Sequence, residues 1–262
     1  RGLVGSEMCI RDRSAIASFV SAAHRYILKV DEELPGSISL LITGDEEGPA
    51  INGTTKVLDW MSNNNEVIDA CIVGEPTNPD YLGQMVKIGR RGSFTGWLTV
   101  TGVQGHTAYP HLAENPLSKL VKMLEPLAEE QLDQGTEYFP PTTAAISSID
   151  TGNSASNVIP QKVTASFNIR FNDSRTAEDI EKWLRAHFDS VGGNYTLETA
   201  CSSNAFITEP GALSDDLVSA VKAVVGTQPE MSTTGGTSDA RFIRKFCPVV
   251  EFGVVGLSLI HI

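Results

Sequence analysis

Two short segments carry the residues best suited to chemistry: Thr43-Gly44-Asp45-Glu46-Glu47 and Val73-Gly74-Glu75-Pro76. Each follows an apolar run, residues 37–43 and 67–74, of the composition expected for a buried parallel strand. In open α/β sheets ligands bind in the crevice beyond the carboxyl ends of the strands. Carboxylates gathered there repel one another unless a proton or a cation intervenes, and divalent ions take such oxygen ligands. One acidic turn alone reads as a solvated bend. Two acidic strand ends in one sheet set a metal site beside that reading. Glu46 and Glu47 are adjacent, so in extended chain they point to opposite sides. One could ligate a metal while the other takes a proton from bound water, the division that metal-assisted hydrolysis needs. Glu75 is a second candidate ligand.

Other residues could serve the same chemistry. His106 lies between small residues in Gly102-Val103-Gln104-Gly105-His106-Thr107-Ala108-Tyr109-Pro110-His111, just after an alternating stretch. Its place after a strand favours a substrate-facing role, and His111 is read as structural. Gly89-Arg90-Arg91-Gly92-Ser93 sets two cations at a change of periodicity; an arginine fork binds carboxylates bidentately, and a solvated hinge is the alternative. The glycine-rich stretch Thr233-Thr234-Gly235-Gly236-Thr237-Ser238-Asp239-Ala240-Arg241 could form an anion nest, but it lacks the lysine of a P-loop. Ser156-Asn157-Val158-Ile159-Pro160 reads only as a turn. No G-x-S-x-G occurs, so a serine nucleophile on an elbow is not indicated.

The elements that must position these residues follow from periodicity. A helix is expected over residues 14–30, with Ser14 as its N-cap, and another over 54–61. With the runs at 37–43 and 67–74 the latter makes a βαβ unit and implies a parallel sheet; a further strand is expected at 81–88. After Gly92 the pattern alternates: strands at 93–101, 143–149, 162–171 and 195–201, with helices opened by Asn115-Pro116 and by Thr176. The apolar stripe of the first of these helices reads Leu117, Leu120, Val121, Leu124 and Leu127. The order β-α-β-β-α-β is the ferredoxin-like split arrangement. A helix near 214–225 and a strand near 248–253 return to the first domain. The expected fold is thus α/β: a mostly parallel-sheet domain over 14–91 and 206–256, interrupted by an α+β domain over 92–205. Residues 1–13 and 257–262 lack periodicity and read as non-native ends.

Composition narrows the function classes. The chain has 262 residues, 32 acidic and 20 basic, with a net charge of −12. A surface so acidic argues against nucleic acid as partner, and no apolar run approaches the length of a membrane span. The four cysteines are widely spaced with no C-x-x-C pair, the pattern of a reducing cytoplasm.

Together, Ile42–Glu47, Val73–Pro76, Gly89–Ser93, the stretch from Gly102 to Pro116, Asn157-Val158-Ile159-Pro160 and the stretch from Thr233 to Arg241 resemble the M20 metallopeptidase family, and within it the desuccinylase subgroup. The resemblance covers about residues 14–255, in family order. It implies a zinc-peptidase-like catalytic domain holding two zinc ions, with cobalt as a possible substitute, and an inserted dimerisation domain, hence a homodimer. It implies hydrolysis of the amide bond of N-succinyl-LL-2,6-diaminopimelate to succinate and LL-diaminopimelate. Glu46 would be the general base, and Glu47 and Glu75 would each ligate one zinc. His106 would reach into the partner's site and polarise the scissile carbonyl. Arg90, Tyr109, Asn157, Arg170 and Thr237 would bind the substrate, an acylated amino acid, the arginines holding its carboxylates. Another M20 amidohydrolase, such as an acetylornithine deacetylase or a carboxypeptidase, or a non-catalytic dimerising chain, are the competing readings.

The chain also departs from the family pattern. The family places a His-x-Asp pair upstream of the first helix and a metal-bridging Asp just before it; counting back from Ile16 reaches Arg11, with Asp12 one residue off. The surroundings of His261 do not match those of the family's C-terminal ligand. The expectation is an internal fragment of the enzyme, inactive as it stands.

Overall fold

The computed structural model describes residues 4–30, 34–46, 50–129 and 131–256, with side chains from residue 13 onward. The chain forms two compact units, one from Arg91 to Phe206 and the other from the segments before and after it.

The continuous unit is a four-stranded antiparallel sheet in the order Thr143–Asp150, Lys162–Phe171, Gly92–Thr101, Asn194–Ser203, with two helices, Pro116–Leu124 and Ala177–Val191. This is the ferredoxin-like arrangement. Alternation fixes the register: Phe94 lies opposite Ile169, Leu98 opposite Ala165 and Val100 opposite Val163, and all six are buried. The helices bury Leu120, Met123, Ile180, Leu184 and Phe188 against that face. Each such side chain contributes about 1.5–3 kcal/mol on leaving water. Both helix starts are set by local chemistry. Asn115 Oδ1 accepts from the amide of Leu117 at 3.0 Å with Pro116 in the first turn, and Thr176 and Asp179 form a reciprocal capping box. Val121, expected in the apolar stripe, is exposed, and Met123 is buried in its stead. A helical stripe turns by 100° per residue, and the sheet meets its Leu120–Met123–Leu124 flank.

The discontinuous unit contains a four-stranded mixed sheet, ordered Cys71–Val73, Val249–Glu251, Met85–Lys87, Glu230–Ser232. Cys71–Val73 runs parallel to Val249–Glu251, and Glu230–Ser232 runs parallel to Met85–Lys87. The central pairing, Glu251 with Lys87, is antiparallel. Helix Ala212–Val225 sets Val218 against Val86, Ile88 and Val250, and helix Thr54–Asn63 buries Leu58.

Several expectations need correction here. Residues 37–43 belong to no strand, and Ile38, Leu40 and Ile42 are exposed. An apolar run becomes a strand only where a neighbour completes its ladder, and none does so among the described residues. The βαβ unit expected across residues 37–74 is therefore not formed. The strand expected at 67–74 shrinks to Cys71–Val73, and the one at 81–88 to Met85–Lys87. The first helix runs Val4–Lys29, so it begins before the expected start at residue 14 and Ser14 is not its N-cap. Ser14 lies inside the helix, where its carbonyl accepts from Ser18 Oγ at 2.8 Å.

Candidate active site

In the discontinuous unit the acidic segment is a loop closed on itself. Asp45 adopts φ 67°, and its Oδ2 accepts from the amides of Ile51 at 2.8 Å and Asn52 at 3.0 Å. These amides hold the Asp45 carboxyl below the usual carboxylate range. Asp45 is thus spent on shaping the loop that carries Glu46, which is half-buried. Glu47, the expected metal ligand, lies outside the described residues.

Glu75, also half-buried, follows Cys71–Val73. Gly74 before it is required by packing: a Cβ there would stand 2.7 Å from Ala15 Cβ and 2.8 Å from Phe19 Cε2 of the first helix. Gly253 approaches the Glu75 backbone so closely that a side chain would collide with its carbonyl oxygen.

Arg90 joins these carboxylates. It is 6 % exposed, and its Nε donates to Oε1 and Oε2 of Glu251 at 3.0 Å each while Nη2 pairs with Oε2. Nη1 donates to the carbonyl of Thr234 at 3.2 Å. Burial works against the guanidinium charge. Glu251 outweighs it, aided by the charges of Glu75 and Glu46, and the pKa is raised. Arg90, expected to clamp a substrate carboxylate, gives its fork to an internal one. Ser238 Oγ donates to the same Glu251 at 2.6 Å. Thr237 is half-buried in the glycine-rich loop, where its Oγ1 accepts from Arg241 at 3.2 Å.

The continuous unit gathers three of the expected residues. Gly105–His106 pairs antiparallel with Val158–Ile159, and the amide of Thr107 donates to the carbonyl of Asn157 at 3.0 Å. The rings of His106 and Tyr109 lie 5.8 Å apart. His106 Nδ1 accepts from the amide of Ala108 at 3.0 Å. A backbone amide can only donate, so Nδ1 is unprotonated and the neutral ring carries its proton on Nε2. The exposed ring therefore offers a donor. Arg170 sits elsewhere in this unit, on the strand Lys162–Phe171 opposite Ser93 and Thr143. Burial lowers its pKa, and burial together with the charge of Arg170 lowers that of Arg91.

A divalent ion needs more donors than the described residues bring together. Among them no group of three or more His, Cys, Asp or Glu could hold a metal. Glu46 and Glu75 are oxygen donors of the right kind but do not make a complete centre.

Sequence reasoning missed Glu251, Lys87, Thr54 and Asp239. A signal existed for the first two: a charge closing an otherwise apolar strand, Val249-Val250-Glu251 and Met85-Val86-Lys87, marks a buried ion that needs polar partners. Lys87 donates from Nζ to Thr234 Oγ1 at 2.6 Å and to Ser232 Oγ at 3.2 Å. Burial, reinforced by the charge of Arg90, lowers its pKa to about 8.

Residues 88–196 match the Peptidase dimerisation domain family, M20_dimer. The chain is 58% identical over 247 residues to a succinyl-diaminopimelate desuccinylase of Rhodospirillum centenum, covering 94% of this chain and 64% of that protein. It is 48% identical over 259 residues to one of Xanthobacter autotrophicus, covering 98% and 68%. The chain thus spans about two thirds of the length of these relatives. Among solved structures it is similar to aminopeptidase PepT of Bacillus cereus, with a TM-score of 0.71 at 18% identity over 92% of this chain and 62% of that one. An M20 family metallo-carboxypeptidase of Sulfolobus solfataricus gives a TM-score of 0.60 at 16% identity over 80% and 60%. At such identities the structures speak for the fold alone.

Proposed function

The chain belongs to the succinyl-diaminopimelate desuccinylase family of M20 metallopeptidases, and from this we infer that the whole protein hydrolyses N-succinyl-LL-2,6-diaminopimelate to succinate and LL-diaminopimelate. The observation that carries this reading is the identity to desuccinylases across nearly the whole of this chain. The acidic loop, the donor on His106 and the placement of Glu75 support it.

In this reading Glu46 removes the proton of the attacking water. His106 gives the Nε2 hydrogen bond to the oxygen that becomes negative as the amide carbon turns tetrahedral. Tyr109, Asn157, Arg170 and Thr237 bind and orient the acylated amino acid. Arg90, whose fork is filled by Glu251, contributes positive charge beside Glu46 and Glu75 instead of a free clamp. M20 membership implies a divalent metal, which when bound acidifies water and polarises a carbonyl oxygen. Zinc, with cobalt as substitute, is our reading, with Glu47 and Glu75 among the ligands. The domain split at residues 92–205, a homodimer formed through that domain, and a cytoplasmic location belong to the same reading. The free thiols of Cys71, Cys201 and Cys247 and the lack, among the described residues, of a helix long and apolar enough to cross a membrane accord with it.

The test is a comparison of rates on N-succinyl-LL-2,6-diaminopimelate and N-acetylornithine with the full-length protein and added zinc. A preference for the succinyl substrate of at least about 100-fold in kcat/KM is expected. A preference for acetylornithine would assign the protein to a different amidohydrolase. Hydrolysis of neither would favour the non-catalytic dimerising chain.

A further inference from the structure

Asp239 is 8 % exposed, and its Oδ2 accepts from Thr54 Oγ1 at 2.5 Å. Thr54, itself 4 % exposed, lies 2.8 Å from Thr43 Oγ1 through the same oxygen. Thr54 has one hydroxyl proton, and an ionised carboxylate only accepts. The proton of Thr54 therefore goes to Asp239, and Thr43 must donate to Thr54. The result is a directed chain, Thr43 to Thr54 to Asp239, that ends on a buried anion. Charge at its end strengthens the first bond and, by polarisation, the second.

The chain ends at the residue from which the acidic loop departs: Thr43 is followed by Gly44, Asp45 and Glu46. Hydrogen bonding alone does not explain the carboxylate. Asp239 Oδ1 is buried with no hydrogen-bond partner among the described residues, and a buried carboxylate with an orphan oxygen costs stability. A cost of this kind persists where the group does something a neutral residue would do less well. Ser238, next in sequence, sends its hydroxyl the other way, to Glu251. One dipeptide thus grips the root of the acidic loop on one side and the partner of Arg90 on the other.

We propose that Asp239 is a positioning residue for Glu46, acting through Thr54 and Thr43 to fix where the acidic loop begins. This rests on the reading of Glu46 as the general base, but the fixing of the loop can be measured without any reaction. The amides of Ala50, Ile51 and Asn52 close the loop onto Asp45, so their hydrogen exchange reports whether it is held. In the present chain Thr54→Val and Asp239→Ala should speed their exchange about tenfold, with the helices of residues 91–206 unchanged. Thr54→Ser keeps the hydroxyl and should remain within about twofold of the parent, whereas Asp239→Asn keeps an acceptor without the charge and should fall between the parent and Asp239→Ala. Should Thr54→Val or Asp239→Ala fail to fold, Thr43→Val cuts the chain at its half-buried end and should open the same three amides. In the full-length protein the same cutting variants should lower kcat with KM nearly unchanged, and Thr54→Ser should retain it. Unchanged exchange in the cutting variants, or equal opening in Thr54→Ser, overturns the positioning role. If the loop opens as stated but the parent protein hydrolyses nothing, the positioning stands and the reading of Glu46 falls.

Discussion

Arg90 and Glu251, 161 positions apart, form a buried pair in which one guanidinium edge meets both oxygens of one carboxylate. Neither group can be removed alone without stranding the other. Glu251→Ala should cost about 3–5 kcal/mol in urea unfolding, because Arg90 would be left charged and buried. The double replacement Arg90→Met with Glu251→Met should recover most of that loss. Equal losses in the single and double variants would show that the pair does not act as a unit.

Lys87 stands beside that pair, and its lowered pKa sets a sign for alkaline stability. The folded group titrates at about 8 against an ordinary 10.5. Below 8 both states hold the proton and stability is flat with respect to this group. Between the two values the unfolded chain binds more protons, so stability should rise with pH, by up to about 3 kcal/mol. Lys87→Met should abolish the rise and add stability at neutral pH. A parent protein losing stability steadily from pH 8 to 10 would contradict this.

Asp45 sets the acid limit of its loop. Its folded pKa is depressed by the amides it accepts from, so its contribution is complete above the ordinary carboxylate range and is lost as pH falls through the lower folded value. Amide shifts of Ile51 and Asn52, followed by NMR, should move together on acidification, below pH about 4. In Asp45→Asn these shifts should no longer follow the carboxyl titration.

His106 is assigned a role through the proton on Nε2. In the full-length protein His106→Ala should lower kcat about 100- to 1,000-fold with a small change in KM. His106→Gln, which keeps a donor, should lose less. A variant impaired in KM alone would make His106 a binding residue.

The continuous unit was legible because its signals are local. Asn115-Pro116, Thr176 with Asp179, and the alternation from Val163 to Phe171 each specify an element from within it. The discontinuous unit was legible only in part. Residues 37–43 carry a strand's composition, yet a strand is a property of two segments, and composition says nothing of the second. The same limit hid the site's supports. Thr54 and Asp239 lie 185 positions apart, and neither residue type announces a partner. Arg90 was noticed for its charge, but whether its fork faces a ligand or Glu251 depends on a strand that arrives 161 positions later. The proton position on His106 likewise needed the amide of Ala108, a backbone group with no mark in the residue letters.

The sheet order also sets a schedule for synthesis. Val249–Glu251 lies between Cys71–Val73 and Met85–Lys87, so those two strands have no common neighbour until residues 249–251 have left the ribosome. The unit from Arg91 to Phe206 is contiguous and can close first as a nascent domain. The sheet of the acidic loop's unit is joined only when Val249–Glu251 arrives, through contacts of long sequence separation that slow folding. Glu251 rides on that strand, so Arg90 meets its counter-charge only when the strand arrives. Until then the nascent chain carries an uncompensated cation, and a translational pause shortly before residue 249 would prolong that state.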